Sequence, residues 1–152
     1  MQTFLPYQSF SDSAACLDPL RLNNQIKECK QIFDAITIPS YGWQHHPAVR
    51  MWRGHEFELL LYGYAMYREW QHRKPKPWVE AHQSGEFIAT LLDAMIPHRS
   101  ANNPPWLGNE AFHASHRAAL LYKLPDHYSQ FGWEESPAVP DENGKLPYVW
   151  PV

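Results

Sequence analysis

The sequence predicts an all-α protein, mostly helical and rich in loops, that folds as one compact helical bundle. The clearest apolar periodicities have spacings of three and four residues, which is the period of a helix. Hydrophobic residues make up 44% of the chain, which is enough for a core, while 14 prolines interrupt the helical segments. A length of 152 residues is most economically one domain, covering residues 1–152.

The chain begins with an N-terminal arm, residues 1–16. Its first ten residues are predicted to be extended, with apolar side chains at Phe4, Leu5 and Tyr7. A short helical turn that starts at Ser11 or Asp12 is expected to end it. An arm of this kind could run across the domain and carry the terminal amine towards the first long helix. An ordinary packed terminus is the alternative.

The first long helix is predicted over residues 17–36. Its apolar residues are spaced four, three, four and three apart and form one stripe, at Leu22, Ile26, Cys29, Phe33 and Ile36. Asp18 followed by Pro19 is typical of a helix start, because the carboxylate caps free backbone amides and proline loses no hydrogen bond there. The opposite face is expected to be polar and exposed, with Arg21, Asn24, Gln25, Glu28 and Gln31.

Three more helices complete the predicted core, which spans residues 17–123. The second runs over 47–72 and is apolar nearly all round in its middle, so we expect it to be central and buried, with Gly54 and Gly63 as close-packing points or kinks. The third is predicted from about Trp78 to Met95 with Val79, Phe87, Leu91 and Met95 as its buried stripe. The fourth follows Gly108, is capped by Asn109 and ends near Lys123.

Residues 124–152 show no helical or strand periodicity and are predicted to be a tail that Tyr148 and Trp150 fasten to the surface.

Cys16 and Cys29 lie on or near apolar faces and are expected to be buried thiols rather than a disulfide. No apolar run is long enough to span a membrane, and the first residues lack the pattern of a signal peptide. The sequence therefore predicts a cytoplasmic protein without membrane contact.

The net charge of −3 is unevenly distributed. Residues 1–76 hold nine Lys or Arg against seven Asp or Glu, whereas residues 77–152 hold four against nine. A basic surface that could bind nucleic acid is therefore possible only in the first half.

The first long helix contains a short pattern: LD, then RL, then a carboxylate within LDPLRLNNQIKE. This pattern resembles the pyrimidine-dimer DNA glycosylases, the phage-type endonuclease V family. The whole chain is most similar to a bacterial branch of that family that shares MQTFLPY, YGW, HPAVRMWRG, SHR and a terminal PYVWP. The resemblance to the proven enzymes covers roughly the first half.

The resemblance implies a DNA-repair enzyme that removes damaged pyrimidines as an N-glycosylase, with a possible abasic-site lyase activity. It implies damaged double-stranded DNA as the partner, a monomer, and no cofactor or metal. Glu28 matches the catalytic acid, and the chain's own amine would be the nucleophile. The proven enzymes expose a small residue after their initiator methionine is removed. Gln2 is bulky, so here the amine is expected to remain on Met1.

A second group of candidate residues lies in YGWQHHPAVRMWRG. His45 and His46 precede a helix whose first turns carry Arg50 and Arg53, and these side chains are suited to phosphate. Trp43 and Trp52 could stack on a displaced base or pack in the core, with core packing favoured for Trp52. With the first helix and the arm, this loop would form a DNA-binding cleft that also uses Arg21, Asn24, Gln25 and Lys27.

The histidines leave two further interpretations open. His113, His116 and Arg117 are either an ordinary polar face of the fourth helix or part of the same cleft, because His116 and Arg117 belong to the shared SHR motif. A metal-dependent hydrolase is the weaker hypothesis, since His113 and His116 are the only histidines three or four residues apart among the candidates. A non-enzymatic nucleic-acid or partner-binding module on the same scaffold is the main alternative to an enzyme.

Overall fold

A computed structural model describes residues 1–73, 79–98 and 103–152. Within these ranges the chain forms helices and no strand, so the predicted all-α fold class is confirmed. The seven α-helices and two 3₁₀ segments are α1 Phe10–Cys16, α2 Pro19–Thr37, α3 Pro47–Trp52, α4 Glu56–His72, α5 Val79–Met95, a 3₁₀ turn Ile96–His98, α6 Glu110–Lys123, α7 Pro125–Tyr128 and a 3₁₀ turn Ser129–Phe131.

The helix α2 starts as its sequence predicts. The Asp18 side chain accepts a hydrogen bond from the Arg21 amide at 3.3 Å, and Pro19 occupies the first turn. Leu22, Ile26 and Cys29 are buried, as the apolar stripe indicates. The expectation that the polar face is exposed is wrong at Gln25, which is only 1% exposed and faces the interior.

The predicted single helix over residues 47–72 is wrong. The chain forms two helices, α3 and α4, separated at Arg53, Gly54 and His55. Gly54 has a φ of +83°, a left-handed conformation that glycine adopts without a steric penalty and that ends α3. The Glu56 side chain then accepts a hydrogen bond from the Gly54 amide at 2.8 Å.

The helix α4 lies at the centre of the bundle, packed against α1, α2 and α5, as its apolar middle predicts. Two glycines permit these close contacts. A Cβ atom on Gly63 would lie 2.3 Å from Cys29 Sγ, and one on Gly85 would lie 2.2 Å from the Tyr67 ring. Gly63 is therefore a close-packing point rather than a kink.

The predicted buried stripe of α5 is wrong in part. Val79 is 63% exposed and Phe87 is 37% exposed. The helix instead packs through a stripe of mainly small residues, Ala81, Ser84, Gly85, Ile88 and Leu92. The small side chains allow α5 to pack close to α4. The apolar pattern could not predict this, because Ser84 and Gly85 are not apolar side chains and so are not recognised as core positions. Trp78, the predicted first residue, lies outside the described residues.

The helix α6 has the predicted bounds, and its Asn109 cap accepts a hydrogen bond from the Phe112 amide at 3.2 Å. The tail is more regular than predicted, because α7 begins at Pro125 and a 3₁₀ turn follows it. Tyr148 and Trp150 do pack against the core, as expected. Cys16 and Cys29 are buried free thiols. None of the helices in the described ranges is long and apolar enough to cross a membrane.

Candidate active site at the chain terminus

The start of the chain lies against the carboxylate of Glu28. The backbone N–H of Gln2 donates a hydrogen bond to Glu28 Oε2. Because Met1 directly precedes Gln2, the terminal amine lies within about 4 Å of that amide nitrogen. The structure therefore brings together the two groups, Met1 and Glu28, that the sequence resemblance implies.

The environment of Glu28 has two opposing effects on its charge. Burial raises the pKa of Glu28 above its ordinary value, while the Gln2 amide and the positive charges of the terminal amine, Lys123 and Lys27 oppose that rise. The net shift is upward. A carboxyl group with a raised pKa exchanges protons more readily near neutral pH, which suits it to acid–base work.

Side chains from α2, α3 and α4 hold the first residues of the arm in place. Gln25 Oε1 accepts hydrogen bonds from the Phe4 amide at 2.8 Å and from the Tyr62 hydroxyl at 2.6 Å. Trp52 Nε1 donates to Thr3 Oγ1 at 2.9 Å. Gln25 and Trp52 are both buried. Gln25 was predicted to contact nucleic acid, but its side-chain oxygen is bound inside the protein. Core packing of Trp52 is confirmed.

Helix α6 fixes the next part of the arm through three buried side chains. The Leu5 N–H donates to His116 Nδ1 at 2.8 Å, and the Leu5 carbonyl accepts from His113 Nδ1 at 2.8 Å. Arg117 donates to the Pro6 carbonyl at 2.8 Å and pairs with Glu135 at 2.5 Å. An exposed polar face on α6 is therefore the wrong interpretation. His116 and Arg117 position the arm rather than face a cleft.

His46 is the residue that caps the start of α3. Its Nδ1 accepts a hydrogen bond from the Ala48 amide at 3.1 Å and so caps α3. Burial lowers the pKa of His46, and the terminal amine and Lys145 lower it further because their positive charges are close. His46 is therefore neutral at physiological pH, and its Nδ1 is not free for a ligand.

Aromatic side chains surround His46 on two sides. Its ring lies edge-on to Trp43 at 5.9 Å and to Trp150 at 6.0 Å between centroids. Trp43 is 67% exposed and has a φ of +70°, a conformation that is strained for a bulky residue. The sequence predicted only that Trp150 packs the tail against the surface of the domain. Its contact with His46 could not be predicted, because it depends on the path of the tail.

The remaining predicted contacts lie at the surface around this site. Arg21 is paired with Asp18 at 2.9 Å, and Lys27 lies 3.5 Å from Glu80. Arg53 donates to the Gln44 carbonyl at 3.3 Å. Of the other three, Asn24 is half-buried, and His45 and Arg50 are exposed. Lys123 and Lys145, whose charges act on Glu28 and His46, were not singled out from the sequence.

A metal centre finds no support in the ranges that the structure describes. No three His, Cys, Asp or Glu side chains there lie close enough together to hold an ion. His113 and His116, the pair with suitable spacing, use their Nδ1 atoms for the Leu5 backbone, and His113 Nε2 also accepts from the Gly108 amide at 3.0 Å.

The fold and site define a small helical protein whose chain terminus is held against a half-buried carboxylate. The family model for pyrimidine dimer DNA glycosylase matches residues 1–83, and the chain belongs to that family. The match covers the arm, α1 to α4 and the start of α5. No match was found among curated proteins or among solved structures.

Proposed function

We propose that this protein removes damaged pyrimidines from double-stranded DNA and then cleaves the strand at the resulting abasic site. The observation that carries the proposal is the hydrogen bond from the Gln2 amide to Glu28, which brings the terminal amine within reach of an acid–base group. Membership of the pyrimidine dimer DNA glycosylase family supports it.

In the proposed reaction the neutral Met1 amine attacks C1′ of the damaged nucleotide. A C–N bond forms as the bond from C1′ to the base breaks, and the base leaves with a proton. Opening of the sugar ring gives an imine between the amine and C1′. Removal of a proton from C2′ then expels the 3′ phosphate and breaks the strand. An α-amine suits this role because more of it is unprotonated near neutral pH than of an ordinary lysine.

Glu28 acts at two points of this scheme. As a carboxylate it stabilises the positive charge that develops on the sugar when the base departs. It then accepts the C2′ proton, a transfer for which its raised pKa makes it a better base than an ordinary carboxylate. Both actions need the carboxylate near the amine, and the hydrogen bond between Gln2 and Glu28 supports that arrangement.

The proposed DNA contacts lie on the surface around the site. The exposed Arg50 lies in α3, which His46 caps, the exposed Arg53 directly follows that helix, and Lys27 directly precedes Glu28. These cations would bind phosphates, and the protein would act as a monomer. The acidic second half of the chain limits the basic surface, so binding should be weak. It should weaken further as salt increases, because each phosphate contact releases counterions.

Borohydride reduction of the protein with abasic duplex DNA tests the proposal. An imine on the Met1 amine would be reduced to a stable cross-link, and mass spectrometry of the digested adduct should place it on the N-terminal peptide. Acetylation of the terminus should abolish the cross-link, while Lys30→Gln should not change it. A cross-link that persists in the acetylated protein would contradict the Met1 assignment and point to Lys27 or Lys30.

A non-enzymatic nucleic-acid-binding module is the second candidate. One observation favours it: Glu28 is hydrogen-bonded to the backbone amide of Gln2 and not to the terminal amine, which belongs to the preceding residue, Met1. The same experiment separates the two. Binding of abasic duplex without any reducible cross-link would support the binding module.

A further inference from the structure

A groove of about 600 Å³ lies between α1 and α4, and its walls share no residue with the candidate active site or with the surface proposed to bind DNA. Its volume is within the range of roughly 300–1,000 Å³ found for binding sites. Spacings of three and four residues place the α4 wall on one face of that helix. The face consists of Leu61, Tyr64, Ala65, Arg68, Glu69 and His72. Although α4 is the central helix of the bundle, this face is open to a partner.

The part of the groove nearer the start of α4 is apolar. Leu61 is 37% exposed, and Tyr64 and Ala65 are half-buried beside it. Phe10 of α1 lines the opposite wall, and its ring packs edge-on against Tyr62 with the centroids 5.7 Å apart. Because Ala65 is smaller than its neighbours on this face, it leaves space that an apolar side chain of a partner can fill.

The part nearer the end of α4 is basic. Arg68 and His72 are exposed, and neither takes part in an ion pair among the described residues. Glu69 also lines this part, but Arg73 Nε lies 2.7 Å from its carboxylate and neutralises it. The groove therefore has a net positive charge at this end, with the Arg68 guanidinium available to a carboxylate.

Arg73 also holds the two walls of the groove together. Its guanidinium donates to the carbonyls of Leu17 at 2.7 Å and Ala15 at 2.9 Å, at the end of α1, as well as to Glu69 of α4. The walls are thus fixed relative to each other before a partner binds, which lowers the entropic cost of association.

The two parts of the groove together indicate the chemistry of the partner. A DNA duplex presents a phosphate charge about every 1.7 Å of its axis but no large apolar group that could fill the part around Leu61. An acidic amphipathic peptide supplies both features, with apolar anchors at helical spacing and a carboxylate for Arg68. The open face of α4 is about 16 Å long, which matches about three turns of such a peptide.

We propose that this groove binds an acidic amphipathic peptide segment of a partner protein, with apolar anchors packed on Phe10, Leu61 and Tyr64 and a carboxylate paired with Arg68. Peptide binding here does not depend on the proposed reaction. Since the groove and the candidate active site share no residue, a partner can bind the protein without occupying the residues around Glu28.

Fluorescence anisotropy with three labelled model peptides tests the proposal. The first has about 14 residues, with leucines at helical spacing on one face and glutamates on the other. The second keeps the leucines and replaces every glutamate by lysine. The third has the composition of the first in an order that gives no apolar face. Wild-type protein should bind the first peptide roughly tenfold or more tightly than either of the others, because only the first satisfies both parts of the groove.

Two substitutions locate the binding. Leu61→Gln should weaken binding of the first peptide by roughly tenfold or more, since a buried apolar contact is lost. Arg68→Glu should weaken it to a similar extent, because it places like charges together. Leu124→Gln is the matched control, as Leu124 is 36% exposed but lies at the end of α6. It should bind as wild type does. All three positions are exposed, so the fold should persist, which circular dichroism checks.

The borohydride cross-link should be unchanged in Leu61→Gln and Arg68→Glu, so peptide binding and the proposed reaction are tested separately. Equal binding of the three peptides by the wild-type protein would overturn the proposal, as would wild-type binding of the first peptide by either variant. Displacement of that peptide by undamaged duplex DNA would overturn it in favour of a nucleic-acid surface. A wild-type dimer that Leu61→Gln converts to a monomer would overturn it in favour of an interface between copies of this chain.

Discussion

At the level of single residues, several polar side chains that the sequence predicts on exposed helix faces are buried and bind other parts of the protein. Gln25, His113, His116 and Arg117 are all buried, and each binds backbone of the N-terminal arm. Burying such groups is costly unless they are hydrogen-bonded, and the arm supplies the missing partners. Helical spacing alone could not show this, because the partners come from a segment without a period.

His116 makes the stability of the fold sensitive to acid. Complete burial lowers the pKa of His116 from its ordinary 6.5 to about 3, and burial lowers that of His113 as well. The unfolded chain therefore takes up protons that the folded protein does not. This contribution to stability is complete above about pH 6.5 and is lost as the pH falls towards 3, at up to about 1.4 kcal/mol per pH unit for each such histidine.

Urea unfolding at pH 7 and pH 5 measures this effect. Wild-type protein should be clearly less stable at pH 5. His116→Gln should be less stable at pH 7, because its bond to the Leu5 amide is disturbed, yet should lose less on acidification. His72→Gln, a change at an exposed position, should keep the wild-type dependence. An unaltered dependence in His116→Gln would show that His116 is not the group responsible.

At the level of the elements, the sequence predicts the starts of α2 and α6 correctly but misses the start of α4, and it places the start of α1 at Ser11 or Asp12 although Ser9 caps that helix. Asp18 with Pro19 and Asn109 predicted the starts of α2 and α6, because capping is a local interaction. The break after α3 depends on the left-handed Gly54, which a continuous apolar pattern conceals. The packing of α5 depends on Ser84 and Gly85, whose small size matters only once α4 is beside them.

Gly85 tests that packing directly. A methyl group there would overlap the Tyr67 ring, which is itself fixed by a 2.5 Å hydrogen bond to Glu86. Gly85→Ala should gain about 1 kcal/mol of helix propensity but lose more through overpacking, which typically costs about 1–3 kcal/mol. A lower melting temperature is therefore expected. Gly42→Ala, with no atom within 4 Å of the new methyl, should change it little. A stabilised Gly85→Ala would contradict the close contact.

At the level of the whole molecule, the first half of the chain contains the candidate catalytic groups and the second half holds the N-terminal arm in place. Residues 1–83, which match the family model, contain the terminal amine and Glu28. The second half anchors the arm through α6 and packs on it through Tyr148. The sequence resemblance identified Met1 and Glu28, but their proximity required the path of the arm. Likewise, the acidic character of the second half can be predicted from composition. That the second half holds the N-terminal arm in place could be seen only in the structure.

The central claim is that the carboxylate of Glu28 performs acid–base chemistry beside the terminal amine. Glu28→Gln tests it, because glutamine keeps the size and can still accept the Gln2 hydrogen bond but cannot take up a proton. The variant should fold with stability within about 0.5 kcal/mol of wild type and still bind DNA. Asp34→Asn removes a carboxylate from the same helix, where Asp34 pairs with Lys30, and serves as the control.

The decisive measurement is the rate of glycosyl-bond cleavage and of strand cleavage on duplex DNA that contains a single pyrimidine dimer, in which the cleaved base stays joined to its neighbour. We predict that Glu28→Gln loses activity by roughly 100- to 10,000-fold, the usual contribution of general acid–base catalysis, while Asp34→Asn stays near the wild-type rate. Full activity of the folded Glu28→Gln variant would contradict the assignment of Glu28 and, with it, the proposed reaction.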